Sequence, residues 1–496
     1  MSASREKNKR REQAASAEVS AAPAKAGMSK GLKWTIGIVC LVLVIAVVTF
    51  FSMLTSGYFA AHTTAATIGT HKLSPAMVNY FYKEAYNSMS ENYGDMLSYI
   101  LDPNTPLDEQ YYDEEAGITW ADSFIEQGLT TAAATYAIYD EAVANGAALS
   151  EDDLASIDAT IENLSLYASY YGHSSVNGYL SALYGTGCNE KNFREFLRIS
   201  TLASTYSSEV YNQPVYTDDE LTAAYAEDPN AFDTVTYRLF TVSDSLFEEE
   251  DADKLAELKK TAADEMYAAA QEGEDAFVDA AYEHAPESSK EYYEDERYTL
   301  QTDASYSGTA LSEWLFDAAR TENEAACIES DGTYYVAIFL SRNTHDFSLP
   351  NVRHILVSVS DATNEEEKAA ALEKAEAILA EYEAGEHTEE AFAAIGDAAY
   401  ADGTSAESAR YEDITPGQMV EEFENWCFED HAVGDTGIVE TSYGYHVMFF
   451  SGFGSNYKLH LVESSQRSDA YNAWMTATTE SASYETADFG MRFVTK

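Results

Sequence analysis

The amino-acid sequence predicts an α+β protein: a membrane anchor helix, a mainly helical domain, then two tandem α+β domains of one design. Three observations carry this. Residues 34–54 form an uncharged apolar run. Apolar residues between 60 and 230 recur mainly at helical spacing. A stretch of about 110 residues, mixing β-like and helical patterns, is written twice between 231 and 456. The expected limits are 1–33 for a tail, 34–54 for the anchor, 60–230 for the helical domain, 231–345 and 346–456 for the two copies, and 457–496 for a C-terminal segment.

At 496 residues the chain is too long for one ordinary core, so two to four domains are expected. Apolar residues make up 46%, enough to fill them. There are 29 Lys and Arg against 85 Asp and Glu, a net charge of −56. The first 33 residues run the other way, with eight basic and three acidic side chains, which leaves 21 basic and 82 acidic ones beyond them. Such a surface repels nucleic acid and anionic lipid, which sets nucleic-acid binding aside. Solubility is the simplest use of the charge; attraction of basic client segments or divalent cations is the other. Cys40, Cys188, Cys327 and Cys427 are far apart and lack metal-like pairing, so they read as reduced thiols. No metal or cofactor is implied.

The anchor reads WTIGIVCLVLVIAVVTFFSML from Trp34 to Leu54. A helix needs ~20 apolar residues to cross the hydrocarbon layer, and this run supplies them. Lys30 and Lys33 precede it, and the next basic residue after it is Lys72. The positive-inside rule therefore places the N-terminus in the cytoplasm and the bulk of the chain outside, as a single-pass protein of the cell membrane. A cleaved signal peptide is the competing reading, with Ala60, Ala61, Ala65 and Ala66 near a cleavage region. Cys40 lies within the run and is a poor lipoprotein cysteine. Residues 1–33, rich in Ala, Ser, Lys and Glu, read as a disordered cytoplasmic tail.

The helical domain opens with a short strand at 65–70. Ser74 and Pro75 then suit the cap and first position of a helix carrying Met77, Tyr80, Phe81, Ala85 and Met89. A polar, Tyr-rich stretch at 92–115 reads as loop. Helical spacing resumes from Thr119 to Ala144. Ser150 with Asp153 forms a capping-box pattern, and Thr217 with Glu220 suggests another. Between them, helix continues through Phe193, Phe196, Leu197 and Leu202.

The repeat comes next. YRLFTVSD (237–244) lines up with HILVSVSD (354–361), and each is followed by an acidic, Ala-rich helix. SEWLFDA (312–318) matches ENWCFED (424–430), and GTYYVAIF (332–339) matches YGYHVMFF (443–450). Each copy reads strand–helix–helix–helix–strand, an α+β unit with a small sheet. The tail holds a strand-like LHLVE, a helix near Ala473 and Trp474, and a strand-like FGMRFV.

The second copy carries the candidate chemistry. His354 and His446 stand near the ends of its strands, with PGQMVEEFE (416–424) between. Singly, each histidine reads as a satisfied core residue, and Met419 with Phe423 as core packing. Their order and spacing together resemble the parvulin family of peptidyl-prolyl isomerases over roughly 351–453. That family opens on Arg-His-Ile-Leu, lines its proline pocket with Gly-Gln-Met-x-x-x-Phe, and closes on a Gly-x-His strand. The resemblance implies catalytic roles for His354, Asp402 and His446, and substrate binding by Tyr411, Met419 and Phe423. Such catalysis needs no covalent step. Rotation about a peptide bond has a barrier of ~18–20 kcal/mol, and a dry pocket that grips the proline ring can favour the twisted, less polar bond.

The match has departures. The family's Gly-Gly-x-Leu-Gly falls here on Ser408, Ala409, Arg410, Tyr411 and Glu412. In the first copy Tyr237 takes the place of the first histidine, Tyr335 of the second, and Leu311 of Phe423, so this copy reads as a degenerate parvulin-like domain. The layout is similar to the SurA/PrsA foldases, and ATIGTHKLSPAMVNYFY (66–82) is similar to the opening of their chaperone domain. The resemblance implies that the C-terminal segment packs on that domain. It also implies an anchored extracytoplasmic isomerase whose partners are newly exported or unfolded polypeptides with X-Pro bonds. A non-catalytic holdase and a surface adhesion protein are the alternatives.

Overall fold

The computed structural model describes residues 30–495. The expected tail therefore lies largely outside the described residues, and its last four residues belong to a helix. This is α1, Lys30–Thr55, whose apolar side chains from Ile38 onward are mostly exposed. At ~1.5 Å per residue its 26 residues extend about 39 Å, more than a hydrocarbon core needs.

The chain divides into two compact units, one of residues up to 213 together with 471 onward, the other of residues 214–470. The first unit opens with α2 (Tyr58–His62) and the hairpin β1 (Ala66–Ile68) and β2 (His71–Leu73). Its long helices are α3 (Pro75–Tyr93), α4 (Trp120–Ala144), α5 (Glu151–Tyr170), α6 (Val176–Tyr184) and α7 (Glu190–Asn212). Their starts are chemically specified. Ser74 Oγ accepts from Met77 N–H, and Pro75 occupies the first position of α3, where a missing N–H costs nothing. Thr119 with Asp122 and Ser150 with Asp153 form full capping boxes. The apolar faces meet in one core around Leu73, Tyr80, Phe81, Phe124, Leu129 and Phe196.

Three expectations are corrected here. The stretch 92–115 is not all loop: β3 (Tyr111–Asp113) pairs with β4 (Ile118–Thr119) in a small hairpin. The strand-like LHLVE begins a helix later labelled α15 (Tyr457–Thr479), because Asn456 Oδ1 accepts from Leu459 N–H and caps its first turn. FGMRFV is no strand either. It contains the end of α16 (Asp488–Met491), where a Cβ on Gly490 would lie 1.9 Å from Thr64 O, so only glycine lets the backbones approach. The strand of this tail is β13 (Tyr484–Thr486), which pairs with β1 in register Ala66 to Thr486.

The second unit starts with α8 (Asp218–Glu227), capped by the Thr217–Glu220 box. Two copies of one motif follow. The first comprises β5 (Thr234–Val242), α9 (Ala252–Glu272), α10 (Glu274–His284), β6 (Leu300–Ser305), α11 (Ala310–Leu315), β7 (Glu324–Ser330) and β8 (Thr333–Asn343). The second comprises β9 (Ser348–Ser358), α12 (Glu365–Glu383), α13 (Glu389–Ala401), β10 (Glu407–Tyr411), α14 (Glu421–Phe428), β11 (Thr436–Thr441) and β12 (Gly444–Asn456). The sheet orders are β6-β5-β8-β7 and β10-β9-β12-β11, the same topology twice. Each copy thus has two edge strands that the sequence pattern did not show. They are short and only partly buried, so they lack the apolar alternation of a core strand.

In the second copy both faces of the sheet are covered. Ile355, Val357, Val447 and Phe449 pack with Ala375, Ile378 and Phe392 of α12 and α13. Val352, Met448 and Phe450 pack on the other face with Phe423 and Cys427 of α14. The period of two along β9 and β12 puts His354 and His446 on this second face.

Candidate active site

β9 and β12 are the central strands, and His354 pairs with Met448 while Leu356 pairs with His446. The two histidines are therefore diagonal neighbours on one face, and their Nδ1 atoms lie 3.1 Å apart. His354 is 2% exposed and His446 6%, so the dyad is buried. Thr441 Oγ1 is 2.9 Å from His446 Nε2 and accepts a hydrogen bond from Tyr443 N–H at 3.1 Å. The tight turn between β11 and β12 makes this possible. Gly444 there has φ +135, and a Cβ would meet Val357 O at 2.3 Å.

Aromatic rings enclose the dyad. Phe423 stands edge-on to His354 at 5.4 Å and to His446 at 5.2 Å. Tyr411 stacks on His354 at 5.1 Å, with 20° between the rings. Met419 packs half-buried in the same cluster. It does not share a helix face with Phe423 as the spacing suggested, because α14 begins only at Glu421. Met419 sits instead in the preceding turn, where Glu424 Oε2 accepts from Gly417 N–H at 2.8 Å and Gln418 Oε1 accepts from Thr415 N–H at 2.9 Å.

Asp402 is not brought into this network. It ends α13, is exposed, and its Oδ1 accepts from Thr404 N–H at 2.9 Å. The Thr404 hydroxyl and N–H hold its carboxyl below the usual range. The carboxylate facing the dyad belongs to Glu407, whose Oε1 lies 3.6 Å from His354 Nε2. Tyr411 donates its hydroxyl hydrogen to the same Oε1 at 2.8 Å. Glu407 and Thr441 were missed from the sequence. The local signal for Glu407 was its even spacing, four positions along the strand from Tyr411; Thr441 lies across the turn from His446 and had none.

Burial, and then the neighbouring His354, push the His446 pKa down to about 4. Burial also lowers His354, opposed by Glu407. Burial, and then the bond to Glu407, raise Tyr411 to about 12. The site is thus a neutral, hydrogen-bonded floor beneath an apolar rim, with the acid on its edge. The residues at its centre include no nucleophilic hydroxyl or thiol paired with a base, other than Thr441, whose oxygen is already engaged by Tyr443.

In the first copy Tyr237 pairs with Phe339, and Leu239 pairs with Ala337. The hairpin pairs Ser330 with Thr333 as Thr441 pairs with Gly444, so Tyr335 stands where His446 stands, while the Arg238–Glu274 ion pair repeats Arg353–Glu389, so Leu239, not Tyr237, stands where His354 stands. Tyr237 packs with Leu311 and Trp314, so this face is filled by side chains without a dyad.

Residues 338–450 match the family model described as the PPIC-type PPIASE domain. No curated protein matches the chain. Among solved structures it is similar to the crystal structure of foldase protein PrsA from Streptococcus pneumoniae str. Canada MDR_19A, at 17% identity over 57% of this chain and 86% of that one. The TM-score of 0.17 is too low to carry an argument. The family match covers the dyad, the aromatic rim and the strands that hold them, and this part of the chain is a parvulin-type peptidyl-prolyl cis-trans isomerase domain.

Proposed function

We propose that the chain is an anchored extracytoplasmic foldase. Its second α+β copy isomerises X-Pro bonds through the His354–His446 dyad, and its helical unit binds unfolded or newly exported polypeptides. The single observation that carries the catalytic reading is the buried, neutral dyad set against Phe423 and Met419. A proline ring held on those apolar groups leaves the preceding carbonyl free to swing. The planar amide is the more polar form, so a dry surface without charge at its centre disfavours it relative to the twisted one. The dyad holds its shape because the rings bond each other, Thr441 bonds His446, and Tyr411 and Phe423 pack on His354. The anchor is α1, and the charge difference between residues 1–33 and the remainder supports an outside location for the acidic bulk.

The test is an NMR exchange assay on a short X-Pro peptide with the full chain in detergent micelles. The wild type is expected to accelerate exchange, and His446→Ala to reduce that acceleration at least about tenfold. A wild type no faster than background would favour the second reading, a holdase without catalysis. The observation behind that reading is Tyr411, whose ring covers one face of His354.

A further inference from the structure

The proton positions within the dyad follow from its neighbours. Two facing Nδ1 atoms at 3.1 Å can bond only if one carries hydrogen and the other a lone pair. Each neutral imidazole has one N–H, so two arrangements exist. In the first, His446 Nδ1–H donates to His354 Nδ1. The His354 proton then sits on Nε2, facing Glu407 Oε1, and the bare His446 Nε2 accepts from the Thr441 hydroxyl. That hydroxyl in turn accepts from Tyr443 N–H. Every group then has a role of the right sign: the hydrogen bonds run in one direction from a backbone N–H to His354, whose Nε2–H points at the Glu407 carboxylate 3.6 Å away, an electrostatic contact longer than a hydrogen bond.

In the second arrangement His354 Nδ1–H donates to His446. A bare, buried Nε2 lone pair of His354 then faces a carboxylate at 3.6 Å, which is repulsive. The Thr441 oxygen must also accept from His446 Nε2–H as well as from Tyr443, and its own hydrogen loses the ring as a partner. The choice between the two rests on Glu407.

We propose that Glu407, pinned by the Tyr411 hydroxyl, is a positioning residue that fixes the dyad with hydrogen on His446 Nδ1 and on His354 Nε2. The β10 register explains how it reaches. Ala409 pairs directly with His354, and Glu407 and Tyr411 flank it on the same face. The small Ala409 leaves room for the Tyr411 ring to lie on His354 and for its hydroxyl to reach back to Glu407. The effect on rate rests on the isomerase reading: a dyad with one fixed dipole presents one electrostatic surface to the rotating bond.

The experiment uses the full chain in detergent micelles, labelled with 15N-histidine, and long-range proton–nitrogen correlation to read which ring nitrogens carry hydrogen. Signals of the dyad are assigned from their loss in His446→Gln and His354→Gln. The expected wild-type pattern is His446 Nδ1–H with His354 Nε2–H. Glu407→Leu should shift both rings toward the opposite pattern and lower kcat/KM about tenfold. Glu407→Gln keeps an acceptor oxygen and should restore the wild-type pattern and most of the rate. If the Leu variant does not fold, Tyr411→Phe decides, because it frees the carboxylate and should give a mixed pattern. A wild-type His446 bare at Nδ1, or tautomers unchanged in the folded Leu variant (or in Tyr411→Phe in its stead), overturns the proposal. A wild type that does not isomerise sinks the isomerase reading alone, since the ring spectra decide this point without activity.

Discussion

His446 shows how a residue's charge state is decided by burial. Its folded pKa is about 4, while an unfolded chain returns it to ~6.5. Between those values the unfolded state binds more protons, so stability is fully present above pH ~6.5 and is lost as pH falls toward 4. His354 is shifted in the same direction and adds to the loss. Between pH 7 and 4.5 the isomerase domain should lose about 2–3 kcal/mol on this account. Hydrogen-exchange protection of the β12 amides, corrected for intrinsic rates, reads it. His446→Gln should show a shallower pH dependence, and parallel curves for the two proteins would sink the argument. At this scale the grouping of His354, His446, Met419 and Phe423 in one cluster was legible from motif order, and Tyr411 from the place where it departs from the motif. Glu407 was not, because nothing local distinguishes it from the other acids of a chain this acidic. Asp402 was placed by its motif position, and the tertiary fold leaves it on the surface at a helix end.

Elements were legible where local chemistry sets them. Ser74–Pro75, the Ser150–Asp153 box and the Thr217–Glu220 box mark true helix starts, since the cap satisfies backbone N–H groups whatever the rest of the chain does. Edge strands β10 and β11 and the helical start of α15 were not, because pairing partners and an asparagine cap outweigh a five-residue apolar pattern. The turn into β12 offers a test. Gly444→Ala meets both a strained φ of +135 and the Val357 oxygen, whereas Gly403→Ala, at φ +79 with open space around its Cβ, meets the strain alone. Gly444→Ala should cost roughly 2–3 kcal/mol or more and Gly403→Ala about 1. Thermal unfolding of the two variants checks the order; equal melting temperatures would show that the close approach is not limiting.

At the scale of the whole molecule, the chain's end completes its first unit. β13 pairs with β1, Thr495 N–H donates to Asn79 Oδ1 at 2.9 Å, and Val494 joins the core of that unit. Trp474 and Thr478 donate to Glu141 on α4. Ending the chain after Glu480 should therefore loosen the hairpin β1–β2 and the start of α3. Limited proteolysis is expected to cut near residues 56–74 in the truncated chain and not in the intact one, while peptide isomerisation persists. Loss of isomerisation together with the cuts would show that the isomerase domain also depends on this closure.

The long apolar helix near the start, the other long helices with their caps, the existence and order of the repeat, and the motif residues of the isomerase copy were all legible from the sequence. Each of these rests on periodicity, charge or chemistry within a few neighbouring positions. Tertiary structure decided what depends on distant strands meeting. It set the diagonal contact of two histidines 92 positions apart, replaced Asp402 by Glu407 at the dyad, and put Leu239 rather than Tyr237 at the first histidine's place in the first copy. The physical reason is register: a strand presents alternate residues to each face, so the partner of a side chain is chosen by pairing across the sheet and not by its neighbours along the chain.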